Sequence, residues 1–274
     1  MSLESLLASY MEQPNEVSLE TFAKCNAACS FCPYPTLDRI GTKMPDELIN
    51  RLIDEMATWE RPFNFVPFKV SEPLLDKRLF DILCNVNERV PKARIRIFTN
   101  GAALTLKKAE ELNTIDNLEL WVSVHESDPD KYREVLGIEQ RHVAANLDAL
   151  HGTDFRHPVH VLRVGTEGAQ GFKAWVSGRW PEFISISVWQ SSWLGYTNPD
   201  VTKVPDTPCS RWFELSIMAN GIVSLCCMDG EGKYPIGDVT KQTMLQVYND
   251  PAWRDRRERM ISRKEVFPCS TCTY

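Results

Sequence analysis

The sequence contains no apolar run approaching the ~18–20 residues that a membrane-spanning helix requires, so no membrane span is expected. It has no basic stripe. Lys and Arg total 31 against 37 Asp and Glu, a net charge of −6. The one Arg-rich segment, WRDRRERMISRK, is interrupted by acids and reads as the solvated face of a helix. Charge therefore gives a nucleic-acid partner no support. The segment MSLESLLASYMEQP has neither a basic start nor a long apolar stretch, and it reads as a short amphipathic helix rather than a secretory leader. Internal repeats and low-complexity tracts are lacking. With 274 residues, 43% of them hydrophobic, the chain suits one large domain, or a domain with a small appendage, and not a disordered segment.

Cysteine, by contrast, is abundant. Nine cysteines without an export signal predict a cytoplasmic protein that uses them for metal or redox chemistry rather than disulfides. Eight fall in clusters. The exception, Cys84, follows Phe80 by four residues on a helical pattern and reads as a packing residue.

From residue 16 to about 190, strand patterns (EVSLETFA, FNFVPFKV, ARIRIFTN, LELWVSVH, HPVHVLRV, FISISVWQ) alternate with helical ones. MPDELINRLIDEMATW has Pro45 in its first turn and Leu48, Ile49, Leu52, Ile53 and Met56 on one face. Such repetition predicts an α/β fold with a parallel sheet of βα units. Six units are too few for a closed eight-stranded barrel. In such sheets ligands gather at the carboxyl ends of the strands, and the first strand ends at a cysteine loop.

That loop, AKCNAACSFCPYP, sets Cys25, Cys29 and Cys32 in the order C-x3-C-x2-C. Three thiolates on one tight loop can hold three irons of a 4Fe–4S cube and leave the fourth iron open. Common iron–sulfur motifs supply four cysteines, and zinc sites are normally closed by four ligands. A zinc knuckle is the alternative for this triplet. The spacing, with Phe31 directly before the third cysteine and a strand ahead of the loop, resembles the radical S-adenosylmethionine (SAM) superfamily. The resemblance implies a partial (β/α)6 barrel whose open iron binds the amino and carboxylate groups of SAM. Reduction then cleaves SAM to a 5′-deoxyadenosyl radical.

Further motifs extend the resemblance. FKVSEPLLD is similar to the family's GGEP segment, with Val70 and Ser71 in the glycine positions and Glu72 retained; it implies that Ser71 and Glu72 lie at the SAM amino group. An ammonium needs oxygen acceptors, which a carboxylate and backbone carbonyls provide; the alternative is that Glu72 is a solvated loop residue. IFTNGAAL matches the TNG turn, with Asn100 at the third strand's end; an ordinary turn is the alternative. On the fourth strand, alternation puts Leu120, Val122 and Val124 on one face and Trp121, Ser123 and His125 on the other. The resemblance implies that Ser123 contacts the SAM ribose or carboxylate and that Phe31 packs near the adenine. Lys69, Arg96, His125 and Arg163 are candidates for a polar barrel lining that binds substrate, since buried charges are costly unless paired or used. Strand-end charges reaching solvent are the bland alternative.

A second cysteine set follows a segment, 196–208, that reads as a linker. IMANGIVSLCC is a β-hairpin pattern with an Asn220–Gly221 turn. Together with Cys209, Cys226, Cys227, Cys269 and Cys272 it resembles the shortened auxiliary-cluster extension called Twitch, a relative of the longer SPASM domain. This implies one auxiliary 4Fe–4S cluster on Cys209, Cys226, Cys269 and Cys272. The doubled cysteine leaves Cys226 against Cys227 open, because neighbours on a strand point to opposite sides. A structural zinc site is the alternative. The expected organisation is an N-terminal helix (1–15), a partial barrel (16–195), the linker (196–208) and a small β-hairpin/helix auxiliary domain (209–274).

The layout is similar to the family's aminocyclitol dehydrogenases. It implies hydrogen abstraction from a polar small molecule, with oxidation favoured, and an external electron donor such as flavodoxin or ferredoxin. Radical epimerisation with Cys227 as hydrogen donor, and peptide or protein modification, remain open. So does the non-enzyme alternative of an electron carrier or zinc module.

Overall fold

A computed structural model describes residues 2–165, 167–196 and 201–274. Six strands alternate with helices. After helix α1 (Leu3–Ser9) come β1 (Glu16–Leu19), α2 (Asp46–Ala57), β2 (Phe63–Val66), α3 (Leu79–Arg89) and β3 (Ala93–Thr99). Then follow α4 (Leu106–Asn113), β4 (Leu118–Ser123), α5 (Pro129–Leu136), α6 (Gln140–His151), β5 (Val159–Val164), α7 (Ala169–Arg179) and β6 (Ile184–Val188). The C-terminal part adds β7 (Glu214–Ile217), β8 (Ile222–Ser224), β9 (Pro235–Asp238), α8 (Met244–Tyr248) and α9 (Pro251–Arg259). One nine-stranded sheet runs in the order β6-β5-β4-β3-β2-β1-β7-β8-β9. Strands β1 to β6 are parallel neighbours, β7 joins β1 in parallel, and β8 and β9 add antiparallel.

The alternation of side chains explains the two faces. Val17, Leu19, Leu120, Val122 and Val161 are sealed against the helices, as the apolar stripe of α2 (Ile49, Leu52, Ile53, Met56) also is. The opposite face carries polar residues and encloses the interior. The second strand is shorter than its sequence pattern: it stops at Val66 because Pro67 has no N–H to continue the ladder. Helices α5 and α7 correspond to no segment named in the sequence analysis. The first is capped by Asp128, which accepts from the Asp130 and Lys131 N–H groups, and ends on Gly137 at φ 69°. The hairpin turn between β7 and β8 needs Gly221 at φ +84°, where an added Cβ would meet Thr240 at 2.6 Å.

Residues 197–200 of the expected linker lie outside the described residues. Helix α1 packs Leu6 into a small core with Trp212, Phe213, Leu225 and Val266. The Arg-rich segment is not simply solvated. Arg257 and Arg263 are buried, with the Arg257 guanidinium 3.8 Å from the Tyr248 ring centre. An aromatic face and carbonyl acceptors accommodate what the acid-interrupted pattern assigns to water.

A buried ion pair joins these parts. Glu20, just past β1, is fully sealed and receives Arg39 Nε at 2.7 Å and Nη2 at 3.1 Å. It also accepts the Val70 and Ala219 N–H groups. Removing one partner of such a pair leaves an uncompensated buried charge. Arg39→Met should therefore destabilise the chain by about 3–5 kcal/mol in urea unfolding; a loss under about 1 kcal/mol, the level of a surface pair, would contradict this.

Candidate active site

The interior opens into a cavity of about 820 Å³. Cys25, Cys29 and Cys32 line it, with Phe31, Ser71, Glu72, Asn100, Ser123 and His125. The sequence-predicted loop, SEP segment, TNG turn and fourth strand are thus brought together at the carboxyl ends of β1 to β4. The cysteine loop is held by α5, whose last carbonyls, Val135 and Leu136, accept from Ser30 N and Ala28 N at 2.8 and 3.0 Å. Burial pushes the Cys29 thiol up to about 12, with Cys32 and Cys25 adding to it, and pushes Cys32 up to about 11. Loading a metal on these groups must therefore release protons.

Glu72 is buried, not solvated. Its carboxylate accepts from Leu74 N (3.0 Å), Thr99 Oγ1 (2.7 Å) and Asn100 N (2.7 Å). Those three bonds pin the end of β3 to the SEP segment and leave about one of some four lone-pair sites for a further donor. The Asn100 amide donates to Asn26 Oδ1 at 2.7 Å and so ties the TNG turn to the cysteine loop.

His125 lies at φ 65° with its ring 5.0 Å from that of Phe31. Val164 N donates to its Nδ1 at 3.0 Å. Burial, then the Arg163 charge, holds His125 down to about 3. The neutral ring accepts at Nδ1 and therefore carries its proton on Nε2.

Two expectations for the polar lining need correction. Lys69 borders the cavity, but its Nζ donates to Ser216 Oγ (3.0 Å), Ser224 Oγ (2.7 Å) and the Cys226 carbonyl (3.0 Å). All three ammonium protons have partners, so none is left for a substrate. Arg163 does not line the cavity: Leu162 and Val164 do, and strand alternation turns Arg163 to the helix side. There it pairs with Glu126 at 2.6 Å and lies over the Phe172 ring. Arg96 does line the cavity, donating to Glu119 at 3.0 Å.

The far end of the cavity holds groups that the sequence reading passed over. Glu16 and Glu214 are register partners on β1 and β7. Arg211 Nη1 lies 2.8 Å from both Glu214 oxygens and 3.5 Å from Glu16. Burial raises Glu214 to about 7, Arg211 opposing and Glu16 reinforcing. Alternation along EVSLE, taken as on the fourth strand, would have marked Glu16 as interior. Phe68, Phe98 and Trp121 form an aromatic wall, with ring centres 5.4 and 5.3 Å apart.

The second thiol set lies behind this end. Cys209, Cys226, Cys269 and Cys272 are all buried. Burial raises Cys226, and Cys227, Cys209 and Cys272 reinforce it. Cys227 instead lines the cavity; burial raises it to about 12, and Arg211 opposes. The doubled cysteine is thus divided, one thiol toward Cys209 and Cys272 and one toward the cavity. Among the described residues no three of His, Cys, Asp and Glu group as the ligands of one metal ion. A cube of four irons, with each thiolate on a different iron, calls for thiols spread round it, and an all-thiol donor set suits iron–sulfur chemistry.

His125 makes stability pH-dependent. Folded His125 refuses the proton that its unfolded form accepts near its ordinary 6.5. Its contribution is complete above that value and is lost as pH falls toward about 3, at about 1.4 kcal/mol per pH unit. Urea unfolding between pH 6 and 4, inside the span from the unfolded to the folded value, should show a slope in the parent chain that His125→Gln reduces by about that amount; equal slopes would contradict it.

Comparison with known proteins agrees with this geometry. The model of the Radical SAM superfamily matches residues 19–169, and that of SPASM, an iron–sulfur cluster-binding domain, matches 209–273. Among curated proteins, the S-adenosyl-L-methionine-dependent 2-deoxy-scyllo-inosamine dehydrogenase of Niallia circulans is 28% identical over 120 residues, 43% of this chain and 48% of that protein. A probable GTP 3′,8-cyclase of Methanosarcina mazei is 30% identical over 139 residues, 49% of this chain and 40% of that protein. The chain thus matches half or less of the length of these relatives. Among solved structures, BtrN in complex with AdoMet and 2-DOIA has a TM-score of 0.69 at 17% identity, covering 95% of this chain and 93% of its own. Streptococcus suis SuiB bound to precursor peptide SuiA scores 0.71 at 14%, covering 99% and 72%. Among the described residues no helix is long and apolar enough to cross a membrane. The Radical SAM domain implies a 4Fe–4S cluster and SAM, and the SPASM domain implies an auxiliary iron–sulfur cluster. The chain belongs to the radical SAM superfamily and carries a C-terminal SPASM domain.

Proposed function

We propose that this chain is a cytoplasmic oxidoreductase that cleaves SAM reductively to a 5′-deoxyadenosyl radical and removes a hydrogen atom from a polar small molecule, with dehydrogenation favoured. The observation that carries the reading is one cavity bordered at one end by Cys25, Cys29 and Cys32, and at the other by Ser210, Arg211 and Cys227, the immediate neighbours of the second thiol set. The first cluster would sit on that triplet, and an auxiliary cluster on Cys209, Cys226, Cys269 and Cys272. When bound, the first cluster supplies the electron that splits the sulfonium, drawn from a donor such as ferredoxin or flavodoxin.

The chain's own residues bind, orient and shield. Glu72 fixes the turn that carries Asn100 and offers its remaining lone pair to an ammonium. His125 presents a neutral Nε2–H beside Phe31, and Ser71 and Ser123 supply hydroxyls on the same wall. Phe68, Phe98 and Trp121 line the cavity and would shield a bound substrate from water. Glu214, which burial raises to about 7 against the opposing Arg211 charge, borders the cavity and is suited to accept a hydroxyl proton at a carboxylate oxygen as the substrate is oxidised.

A second reading, epimerisation, draws on Cys227, a thiol that faces the cavity and can return a hydrogen atom. A peptide substrate has its parallel in SuiB and anSMEcpe, which share the fold and have been solved with bound peptides.

Anaerobic reconstitution should load about eight irons per chain, four for each cube, and dithionite with SAM should release 5′-deoxyadenosine. Cys29→Ala should lose about half the iron and at least ~100-fold of the cleavage, the magnitude expected when a cofactor-activating group is removed. A colourless zinc protein would overturn the reading. Cys227→Ala should keep the full iron load; under epimerisation it also loses solvent deuterium incorporation into product, whereas under dehydrogenation product formation continues.

A further inference from the structure

Lys69, Asn100, His125 and Arg163 stand at or near the carboxyl ends of β2 to β5. All but His125 have their nitrogen donors committed. Lys69 donates to Ser216, Ser224 and the Cys226 carbonyl. The Asn100 amide donates to Asn26 Oδ1 at 2.7 Å and lies 3.8 Å from Cys25 Sγ. Arg163 is turned to the helix side, paired with Glu126 over the Phe172 ring. In His125, Val164 N donates to Nδ1, so the ring proton sits on Nε2, and among the described residues that N–H has no acceptor. His125 is only 4% exposed and lines the cavity, so a ligand held there is what completes the donor.

The backbone beneath this ring is equally constrained. At φ 65° His125 occupies the left-handed region, which a side chain with a Cβ keeps only when its surroundings hold it there. The Leu162 carbonyl accepts from both Val124 N (3.0 Å) and His125 N (3.1 Å), so two residues of one strand end face one of the next. Arg163 closes the turn from behind. Its Nη1 donates to the His125 carbonyl and, at 2.6 Å, to Glu126 Oε1; its Nη2 donates to the Glu167 carbonyl at 2.6 Å. A planar guanidinium fork spans such a set of oxygens, whereas a lysine ammonium is a point charge. The Phe31 ring, 5.0 Å away and edge-on, braces the imidazole on the cavity side.

We propose that Arg163 is a positioning residue for SAM: it holds the turn after β4 in its left-handed form, so that the His125 Nε2–H is presented to an oxygen of bound SAM. The inference rests on the radical SAM reading above, and Arg163 acts through His125 without touching SAM itself.

The test is SAM binding to the reconstituted full chain, measured by anaerobic calorimetry and run as a double-mutant cycle. His125→Phe and Arg163→Met should each raise the Kd for SAM about tenfold, the size of one hydrogen bond to a ligand. The double variant should match His125→Phe, because Arg163 works only through that ring. Arg163→Lys should lie nearer Arg163→Met than the parent, and every variant should keep the parent's iron load. Additive losses, or an unchanged Kd in either single variant, overturn the proposal; a merely structural Arg163 would lower the urea midpoint and leave the Kd where it was. Should Arg163→Met fail to fold, Arg163→Lys takes its place in the cycle, since it keeps a charge beside Glu126. An iron-loaded parent that binds no SAM contradicts the radical SAM reading itself, a result distinguishable from SAM binding that both variants leave unchanged.

Discussion

The sealed carboxylate of Glu20 ties together the three parts of the chain that carry the candidate ligands. Arg39, seven residues beyond Cys32, grips both its oxygens; Val70, beside Ser71 and Glu72, donates to one, and Ala219, in the turn before Cys226, donates to the other. Arg39 also reaches the Gly230 carbonyl. A carboxylate with no water around it must be satisfied by fixed donors. The cysteine loop, the SEP segment and the C-terminal hairpin therefore hold their positions jointly, and the parallel pairing of β7 with β1 follows the same line.

This constraint gives the interior its character. One sheet face is aliphatic and covered by helices. The other encloses a cavity with thiols at one end, aromatic rings along its side, and a Glu16–Arg211–Glu214 network at the other end.

Much of this was legible in the residues because the signals are local. The C-x3-C-x2-C loop, the six strand patterns, the Asn220–Gly221 turn and the alternation that puts Ser123 and His125 inside each need only a few neighbours. What failed depended on distant contacts. Lys69 looked like a substrate ligand until β7 and β8, some 150 residues on, supplied Ser216 and Ser224. Arg163 shares its strand with Leu162 and Val164, and its inward assignment had the wrong parity. The doubled cysteine was ambiguous by construction: a two-residue repeat separates the two sides without saying which side holds Cys209. Helix α5 carried its own Asp128 cap and Gly137 stop but was not read, though it supports the cysteine loop.

The central claim is that the triplet at the strand ends leaves one iron open for SAM. It is tested most directly by pulsed EPR hyperfine spectroscopy of the reduced, reconstituted chain with SAM labelled by ¹⁵N at its amino group and ¹³C at its carboxylate. The account predicts couplings from both labels to the cluster on Cys25, Cys29 and Cys32, and their disappearance in Cys29→Ala. A reduced cluster whose spectrum is unchanged by SAM and carries neither coupling would contradict it.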